Sequence, residues 1–421
     1  MKTVAIAGLL DSRSMEYSYI KELIEGLDLN TFSIHVGLLK PSFTPDISSE
    51  DIIKAAGADI ESVVAKNDTR AASDIMLIGL RKLLPALYRE GKFDGIISFG
   101  GTGVTSLVTS AMQILPIGVP KLMVSTVASG NTEPYVGISD IIMFPSVVEV
   151  AGLNSLSTKI LTNAAFAVAG MVKFENKKVL KKKPLIAVTM FGTTSPSADF
   201  ARKYLEARGY EVLIFHTTGV GGRSMENLIS GGYIEGVIDL TTIEWSNQIV
   251  GGVMTAGRHR LEAAGLTGIP QVVSVGALDM VNFGPADAVP SGFSGRYLYQ
   301  YNPNVTLMRT SVEENIKIGR KIAEQLNMAK GPTALMLPLN GISMFDKPGQ
   351  IFFGVAENAA LFNELRANIN REVVEIQELH LHINDQAFAE AAADKLIGMM
   401  ARRAPAGHRL SNGPVDERGR I

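Results

Sequence analysis

Short apolar runs alternate along the chain with stretches whose apolar residues recur every three or four positions. Thr3–Leu9, Ile96–Phe99 and Leu185–Phe191 are typical of strands buried on both faces of a parallel sheet. A buried helical stripe follows the second run, formed by Val104, Leu107, Val108, Ala111, Met112 and Leu115. The alternation predicts an α/β fold with doubly wound parallel sheets.

The pattern occurs twice in the same order. Residues 90–98 resemble residues 231–239, and residues 118–124 resemble residues 268–274. We therefore expect two tandem Rossmann-like doubly wound subdomains with a cleft between them. The predicted divisions are an N-terminal subdomain at 1–178, a C-terminal subdomain with an extension at 179–401, and a disordered tail at 402–421. The first boundary lies in the lysine-rich stretch before Pro184, which is typical of a solvated connector.

Composition narrows the class of protein. The 421 residues are 46% hydrophobic and 19% charged, with a formal net charge of −2, which gives no case for a nucleic-acid or anionic-membrane partner. No run approaches the roughly 18 apolar residues of a membrane span. The apolar N-terminal run stops at Asp11 with no cleavage site, so we interpret it as a first strand and not a signal peptide. The chain has no cysteine, and we expect a cytoplasmic protein.

A glycine cluster separates the second apolar run from its helix. Gly100, Gly101, Thr102 and Gly103 stand at a strand-to-helix turn, where free backbone N–H groups and the helix dipole favour an anion, usually a phosphate. No Gly-Lys-Ser/Thr follows, so this is not a Walker A loop. Ser106 replaces the third glycine of the dinucleotide fingerprint. A tight turn with no ligand is the alternative interpretation.

Other glycine and hydroxyl clusters follow strands and should gather at the carboxyl edge of each sheet, where ligands of such folds bind. The candidate ligand-binding residues are Gly100, Gly101, Thr102, Gly103, Thr105, Asp11, Arg70, Ser129, Gly130, Thr193, Thr194 and Arg223. Helix capping is the alternative role for any single hydroxyl. We interpret Gly192–Ser195 as the repeat counterpart of the first glycine turn. Either turn could hold phosphates, and we favour the first.

Catalytic residues and metal ligands are not assigned. His380 and His382 are predicted on one face of a strand at Glu372–Ile383, where two imidazoles could bind a divalent metal. A hydrogen-bonded or solvated pair is the favoured alternative.

Taken together, the motifs resemble the Tm-1-like ATP-binding domain family, the group related to the inhibitory domain of the tomato mosaic virus resistance protein. The matching stretches are 99–103, 190–196, 216–226, 293–296, 302–310, 338–343 and 382–385. The resemblance implies two α/β subdomains, ATP binding with Mg²⁺, and homodimers. The chain departs from the family around Gly349–Asn358 and at Gln386.

The leading hypothesis is a dimeric ATP-binding protein of unknown reaction. One alternative is an ATP-dependent or phosphate-handling enzyme acting on a small carboxylate or sugar acid. Another is a nucleotide-regulated protein-interaction module.

Overall fold

The computed structural model describes residues 1–59, 68–174 and 183–402. The sequence pattern also predicts a helix near Glu50–Lys66, and the end of that stretch lies outside these residues. Most of the predicted connector and nearly all of the predicted tail lie outside them as well. The chain divides into two compact units, Met1–Val179 and Leu180–Ile421, here called the N-terminal and C-terminal units.

In the N-terminal unit, strands and helices alternate. The strands are β1 (Thr3–Gly8), β2 (Asn30–His35), β3 (Gly95–Gly100), β4 (Lys121–Ser125) and β5 (Ile142–Pro145). The described helices are α1 (Ser14–Glu25), α2 (Ser49–Ala55), α3 (Thr69–Arg89), α4 (Thr102–Met112), α5 (Glu133–Val136) and α6 (Ser157–Lys173). The strands form a five-stranded sheet in the order β2-β1-β3-β4-β5, with parallel pairs throughout.

Helices cover both faces of this sheet. Alternate residues of β1 point to opposite sides: Ala5 packs in a core with α2, α3 and α4, whereas Val4 packs in a second core with α1 and α6. The period of two along a strand buries both faces, which explains the continuous apolar runs in the sequence.

The C-terminal unit has a larger set of elements. Its strands are β6 (Leu185–Met190), β7 (Glu211–His216), β8 (Gly236–Thr241), β9 (Gln271–Gly276), β10 (Met280–Phe283), β11 (Leu298–Asn302), β12 (Val305–Arg309), β13 (Thr333–Pro338) and β14 (Val374–Leu379). Its described helices are α7 (Ser195–Glu206), α8 (Val220–Ser230), α9 (Glu244–Val250), α10 (Ala263–Thr267), α11 (Val312–Leu326), α12 (Val355–Asn368) and α13 (Gln386–Arg402).

Its main sheet repeats the topology of the first unit. The parallel order β7-β6-β8-β9-β13-β14 follows the pattern of β2-β1-β3-β4-β5, with one more strand at the far edge. The predicted fold class, two tandem Rossmann-like units, is therefore confirmed. The sequence interpretation missed a three-stranded antiparallel sheet in the order β10-β12-β11.

One predicted strand is too long. The run at Glu372–Ile383 forms a strand only over Val374–Leu379, so His380 and His382 follow the strand and do not share one of its faces. The chain turns there because the Asp385 carboxylate accepts the backbone N–H of His382 at 2.7 Å. Over the described ranges, no helix is long and apolar enough to cross a membrane.

A buried carboxylate holds the loop between β13 and α12. Asp346 is fully buried. It accepts the backbone N–H of Ile342 at 3.0 Å, the side-chain amide of Asn358 at 2.6 Å and the backbone N–H of Gly354 at 3.3 Å. Because Gly354 precedes α12, Asp346 also places negative charge at the positive end of that helix.

A second carboxylate, Asp279, lies in the same region. It is fully buried and accepts the Ser343 hydroxyl at 2.7 Å, while its Oδ1 atom has no hydrogen-bond partner among the described residues. Burial raises the pKa of Asp279 to about 7, against the lowering effect of Arg309 and with a further rise from Asp346. The folded unit therefore favours the protonated form of this carboxyl group.

This pKa predicts a pH-dependent stability. An unfolded Asp279 loses its proton near pH 4, so between pH 4 and 7 only the folded state holds it, and the free energy of unfolding falls as the pH rises. Asp279→Asn removes this loss. Between pH 4 and 8, the free energy of unfolding of the variant, measured by urea unfolding, should rise relative to that of the wild type by up to about 4 kcal/mol. The surface change Asp287→Asn is the control. A wild-type-minus-variant difference that stays constant with pH would contradict the prediction.

Candidate functional site

The glycine turn of the N-terminal unit lies at the point where the sheet changes direction. The chain runs from β1 outward to β2 and then returns to β3 on the other side of β1. The loops after β1 and β3 therefore leave toward opposite faces, which opens a crevice at the carboxyl ends of the two strands. Gly100–Gly103 forms one side of this crevice, and the segment from Leu9 to Arg13 forms the other.

The local geometry requires glycine at one position and leaves space at others. Gly100 has a φ of +155°, and a Cβ there would lie 3.0 Å from Cβ of Val104. Gly101 is the residue before α4 and accepts the backbone N–H of Thr105 at 3.0 Å. A Cβ on Gly103 would meet no atom within 4 Å, and both Thr102 and Gly103 are exposed.

The amino end of α4 is open. Within the described residues, no side chain caps this helix, and its first turn carries no acidic residue. The backbone N–H groups of that turn thus lack the side-chain acceptor that helix ends normally have. An anion seated there would gain both hydrogen bonds and the favourable helix dipole.

Thr105, predicted to bind a ligand, is buried behind the glycine turn. It is fully buried, and its hydroxyl donates to the Gly101 carbonyl at 2.9 Å and lies 2.6 Å from the Ser125 hydroxyl. These bonds tie the turn after β3 to the end of β4. Thr105 therefore supports the turn from within and does not present its hydroxyl to solvent.

The other N-terminal candidates lie at the same edge of the sheet, on loops or at the start of a helix. Asp11 follows β1 and accepts the backbone N–H of Leu39 at 3.3 Å. Arg70 is exposed at the start of α3, which leads into β3. Ser129 and Gly130 are exposed in the turn after β4.

The sequence interpretation missed three residues of this region. His35 is fully buried: its Nδ1 accepts the Leu10 N–H at 3.2 Å, and its Nε2 donates to the Leu39 carbonyl at 2.9 Å, which fixes the loops after β1 and β2. Glu149 is close to the glycine turn, because a Cβ on Gly101 would lie 3.6 Å from its carboxylate. Arg13 directly precedes α1 in the loop after β1. Only Arg13 stood in a cluster recognisable from the sequence.

In the C-terminal unit, the counterpart of the glycine turn is not Gly192–Ser195. In the shared strand order, β8 corresponds to β3 and β6 to β1. The turn after β8, Thr241–Glu244, therefore corresponds to Gly100–Gly103, and Gly192–Ser195 corresponds to the loop after β1. The expected pairing of Gly192–Ser195 with Gly100–Gly103 was wrong. It was based on similar residue types, whereas equivalent turns are those that follow equivalent strands.

Glu244 occupies the anion position of another glycine-rich turn in this unit. Its Oε1 accepts the backbone N–H of Gly219 at 2.8 Å and of Gly222 at 3.1 Å, at the amino end of α8. A Cβ on Gly222 would lie 2.2 Å from the Glu244 carboxylate. The turn from Thr217 to Arg223 is thus filled by the protein's own carboxylate. Arg223 lies half-buried in the first turn of the same helix.

A buried arginine holds Glu244 in place. Arg260 donates to Glu244 at 2.5 Å, pairs with Asp239 through two nitrogens and reaches Glu226 at 3.2 Å. Burial raises the pKa of Glu244 above its usual value, and Arg260 opposes the rise. Removing one member would leave buried charge uncompensated, so the network has a structural role.

The turn after β6 uses Thr194 internally. Thr194 is fully buried, and its hydroxyl accepts the Phe191 N–H at 3.0 Å and lies 2.7 Å from the Thr241 hydroxyl. Thr193 differs, because its side-chain oxygen is buried with no hydrogen-bond partner in the described part of the chain.

His382 is held by the backbone. Its Nε2 lies 2.9 Å from the Ser343 carbonyl, and its Nδ1 accepts the Asn384 N–H at 3.1 Å. Both ring nitrogens are thus engaged. The metal alternative for His380 and His382 loses its basis, since a metal ligand needs a free nitrogen.

Similarity to solved structures is low. Glycosyltransferase SsfS6 from Streptomyces sp. SF2575 is 14% identical, with a TM-score of 0.20, over 65% of this chain and 81% of that chain. A score of this size carries no argument about function.

Similarity to known sequences is much higher. A UPF0261 protein of Clostridium tetani is 50% identical over 402 residues, covering 95% of this chain and 100% of that protein. A UPF0261 protein of Rhizobium meliloti is 42% identical, covering 93% and 98%. The ToMV resistance protein Tm-1(GCR237) of Solanum lycopersicum is 43% identical over 358 residues, covering 83% of this chain and 48% of the tomato protein.

Two family models match the chain in succession. The model of the N-terminal domain of uncharacterised protein family UPF0261 matches residues 2–177, and that of its C-terminal domain matches residues 183–400. The chain belongs to the UPF0261 family.

Proposed function

We propose that this chain is a nucleotide-binding protein that takes ATP with Mg²⁺ at the glycine turn of its N-terminal unit. The observation that carries the proposal is the open amino end of α4 beside Gly101 and Gly103, at the crevice between the ends of β1 and β3. Backbone N–H groups there would donate to phosphate oxygens, with the exposed Thr102 hydroxyl as a further donor.

The charges near the turn suit a magnesium nucleotide. Glu149 is exposed beside Gly101, and Asp11 lies in the facing loop. Mg²⁺ is usually held by one or two carboxylates together with phosphate oxygens and water, so these residues fit that role. Arg13 and Arg70 would supply fixed positive charge to the remaining phosphate oxygens.

Nucleotide binding should stabilise the fold. Saturating Mg²⁺-ATP, at about 100 times its dissociation constant, should raise the free energy of unfolding by about 2.7 kcal/mol. The measurement is the melting temperature with and without nucleotide, with MgCl₂ alone as the control. If ATP, ADP, AMP and GTP all leave the melting temperature unchanged, the protein does not bind nucleotides.

Substitution of Gly101 tests the location. Its backbone is extended, with φ −82° and ψ −170°, so valine fits the conformation, and its nearest non-neighbouring atom is the Glu149 carboxylate at 3.6 Å. Gly101→Val should abolish the ATP-induced shift, because the side chain occupies phosphate space. Gly170→Val is the matched control, since Gly170 also has open space and lies in the last turn of α6. ATP binding that survives in Gly101→Val would place the nucleotide elsewhere.

We also propose a homodimer that uses an aromatic patch of the C-terminal unit. Tyr297 and Tyr301 are 60% and 57% exposed, and Phe353 and Val355 are 45% and 67% exposed. The Tyr297 and Tyr301 rings pack edge-on against Phe352 and Phe345, which also pack against Tyr299. Phe353 and Val355 follow Phe352 within three residues of the chain. Exposed apolar surface of this kind marks an association site.

Charge placed in this patch should dissociate the dimer. Val355 is the first residue of α12, where a carboxylate is tolerated by the helix dipole. Val355→Asp should shift the mass measured by light scattering from dimer to monomer, whereas Val253→Asp, at a 63% exposed position, should not. A monomeric wild type would refute the dimer, and a dimeric Val355→Asp would refute its location.

A further inference from the structure

The turn after β6 in the C-terminal unit combines an open helix end with buried polar atoms that lack partners among the described residues. It runs from Phe191 to Ser195 and leads into α7, a helix of 12 residues. Among described residues, no side chain caps this helix, and its first turn contains no acidic residue. An open helix end is not by itself a binding site, so evidence for a ligand must come from the polar atoms around it.

Three buried polar atoms around this turn have no hydrogen-bond partner in the described ranges. They are Thr193 Oγ1, Ser197 Oγ and Asn384 Oδ1. Thr193 is only 5% exposed and Ser197 is fully buried. Asn384 is in direct contact with the turn, because its side-chain amide donates to the Thr193 carbonyl at 2.9 Å. Leaving a buried polar group unpaired costs about 1–3 kcal/mol, so a group of them at one place indicates a missing partner.

The turn is open to solvent on one side. Gly192 is exposed, and a Cβ there would meet no atom within 4 Å. Beside it, the exposed His216 ring lies 5.5 Å from the Phe191 ring, centroid to centroid, at an interplanar angle of 31°. His216 is the register partner of Met190, the residue before Phe191. Partial burial against its neighbours lowers the pKa of His216, which favours a neutral ring able to stack on another ring.

We propose that the Phe191–Ser195 turn binds the phosphate group of a small phosphorylated molecule, with Thr193 and Ser197 as hydroxyl donors and His216 as a support for a planar ring. The ligand class is that of the nucleoside phosphates. The inference goes beyond the function proposed for the N-terminal unit, because it concerns a different turn on the other unit.

The donors match the proposed ligand. Backbone N–H groups at the helix start and the two hydroxyls can all donate hydrogen bonds to phosphate oxygens, although Pro196 in the first turn has no N–H to contribute. The Asn384 carbonyl oxygen is an acceptor and would pair with a hydroxyl or amino group of the same ligand. The first βα turn of a doubly wound unit is also the turn that holds phosphate in many proteins of this fold.

Titration calorimetry of the full chain tests the proposal with two probes, inorganic phosphate and Mg²⁺-ATP. Gly192→Val is the blocking variant, because the glycine has no positive φ and its side chain would enter open space. Gly398→Val, near the carboxyl end of α13 and likewise with open space, is the control. Loss of at least tenfold in affinity for either probe, or of one binding event, in Gly192→Val but not in Gly398→Val supports the site. Unchanged binding of both probes in Gly192→Val overturns it.

His216→Ala tests the ring support, with the exposed His380→Ala as the control. Stacking on one ring is worth about tenfold in affinity, so the variant should weaken ATP by about that factor and leave inorganic phosphate unchanged. Equal effects on both probes would remove the ring from the proposal.

The same titrations separate this inference from the function proposed above. ATP binding that is lost in Gly101→Val, with the binding of both probes unchanged in Gly192→Val, would overturn only the second site. The reverse result would overturn only the location in the N-terminal unit. Two events in the wild type, each lost in one variant, would support both.

Discussion

Every helix that follows a parallel strand begins with backbone N–H groups that have no acceptor inside the helix. All such helices of one unit begin at the same edge of the sheet, so this edge collects positive ends of helix dipoles. How each end obtains its acceptor determines most of the chemistry described here. In the C-terminal unit, Glu244 accepts N–H groups at the start of α8, and Asp346 accepts one at the start of α12. In the N-terminal unit, the described residues leave the end of α4 without a side chain of this kind.

The two units share a strand order and differ in what stands at equivalent turns. After β3 the chain places Gly100–Gly103, whereas after β8 it places Thr241–Glu244, whose carboxylate belongs to a buried network with Arg260. Packing of helices on both sheet faces requires only apolar stripes, which both units keep. The turns are free to diverge because they make few of those apolar contacts. The two units therefore share a fold but carry different residues at the turns where a ligand could bind.

The sequence predicted the features that depend on neighbouring residues. The apolar runs located most strands, because a strand covered on both faces has no position for an exposed polar residue. The sequence did not predict contacts between residues that are far apart along the chain. Glu244 contacts Gly219 from 25 residues away and Asp279 contacts Ser343 from 64 residues away, so neither pairing has a local signal. The antiparallel sheet was missed because β11 is short, half-exposed and interrupted by a bulge at its pairing with β12.

Gly222 and Glu244 illustrate how such long-distance contacts constrain a protein lineage. Any side chain at Gly222 would overlap the Glu244 carboxylate. If that carboxylate were lost, position 222 would no longer require glycine, and the Gly222 N–H would lose its acceptor. Drift at either position is therefore blocked unless the other changes with it. The two positions should covary among descendants of this chain, and Arg260 should follow them, since its charge is tolerated in the interior only while its acidic partners persist.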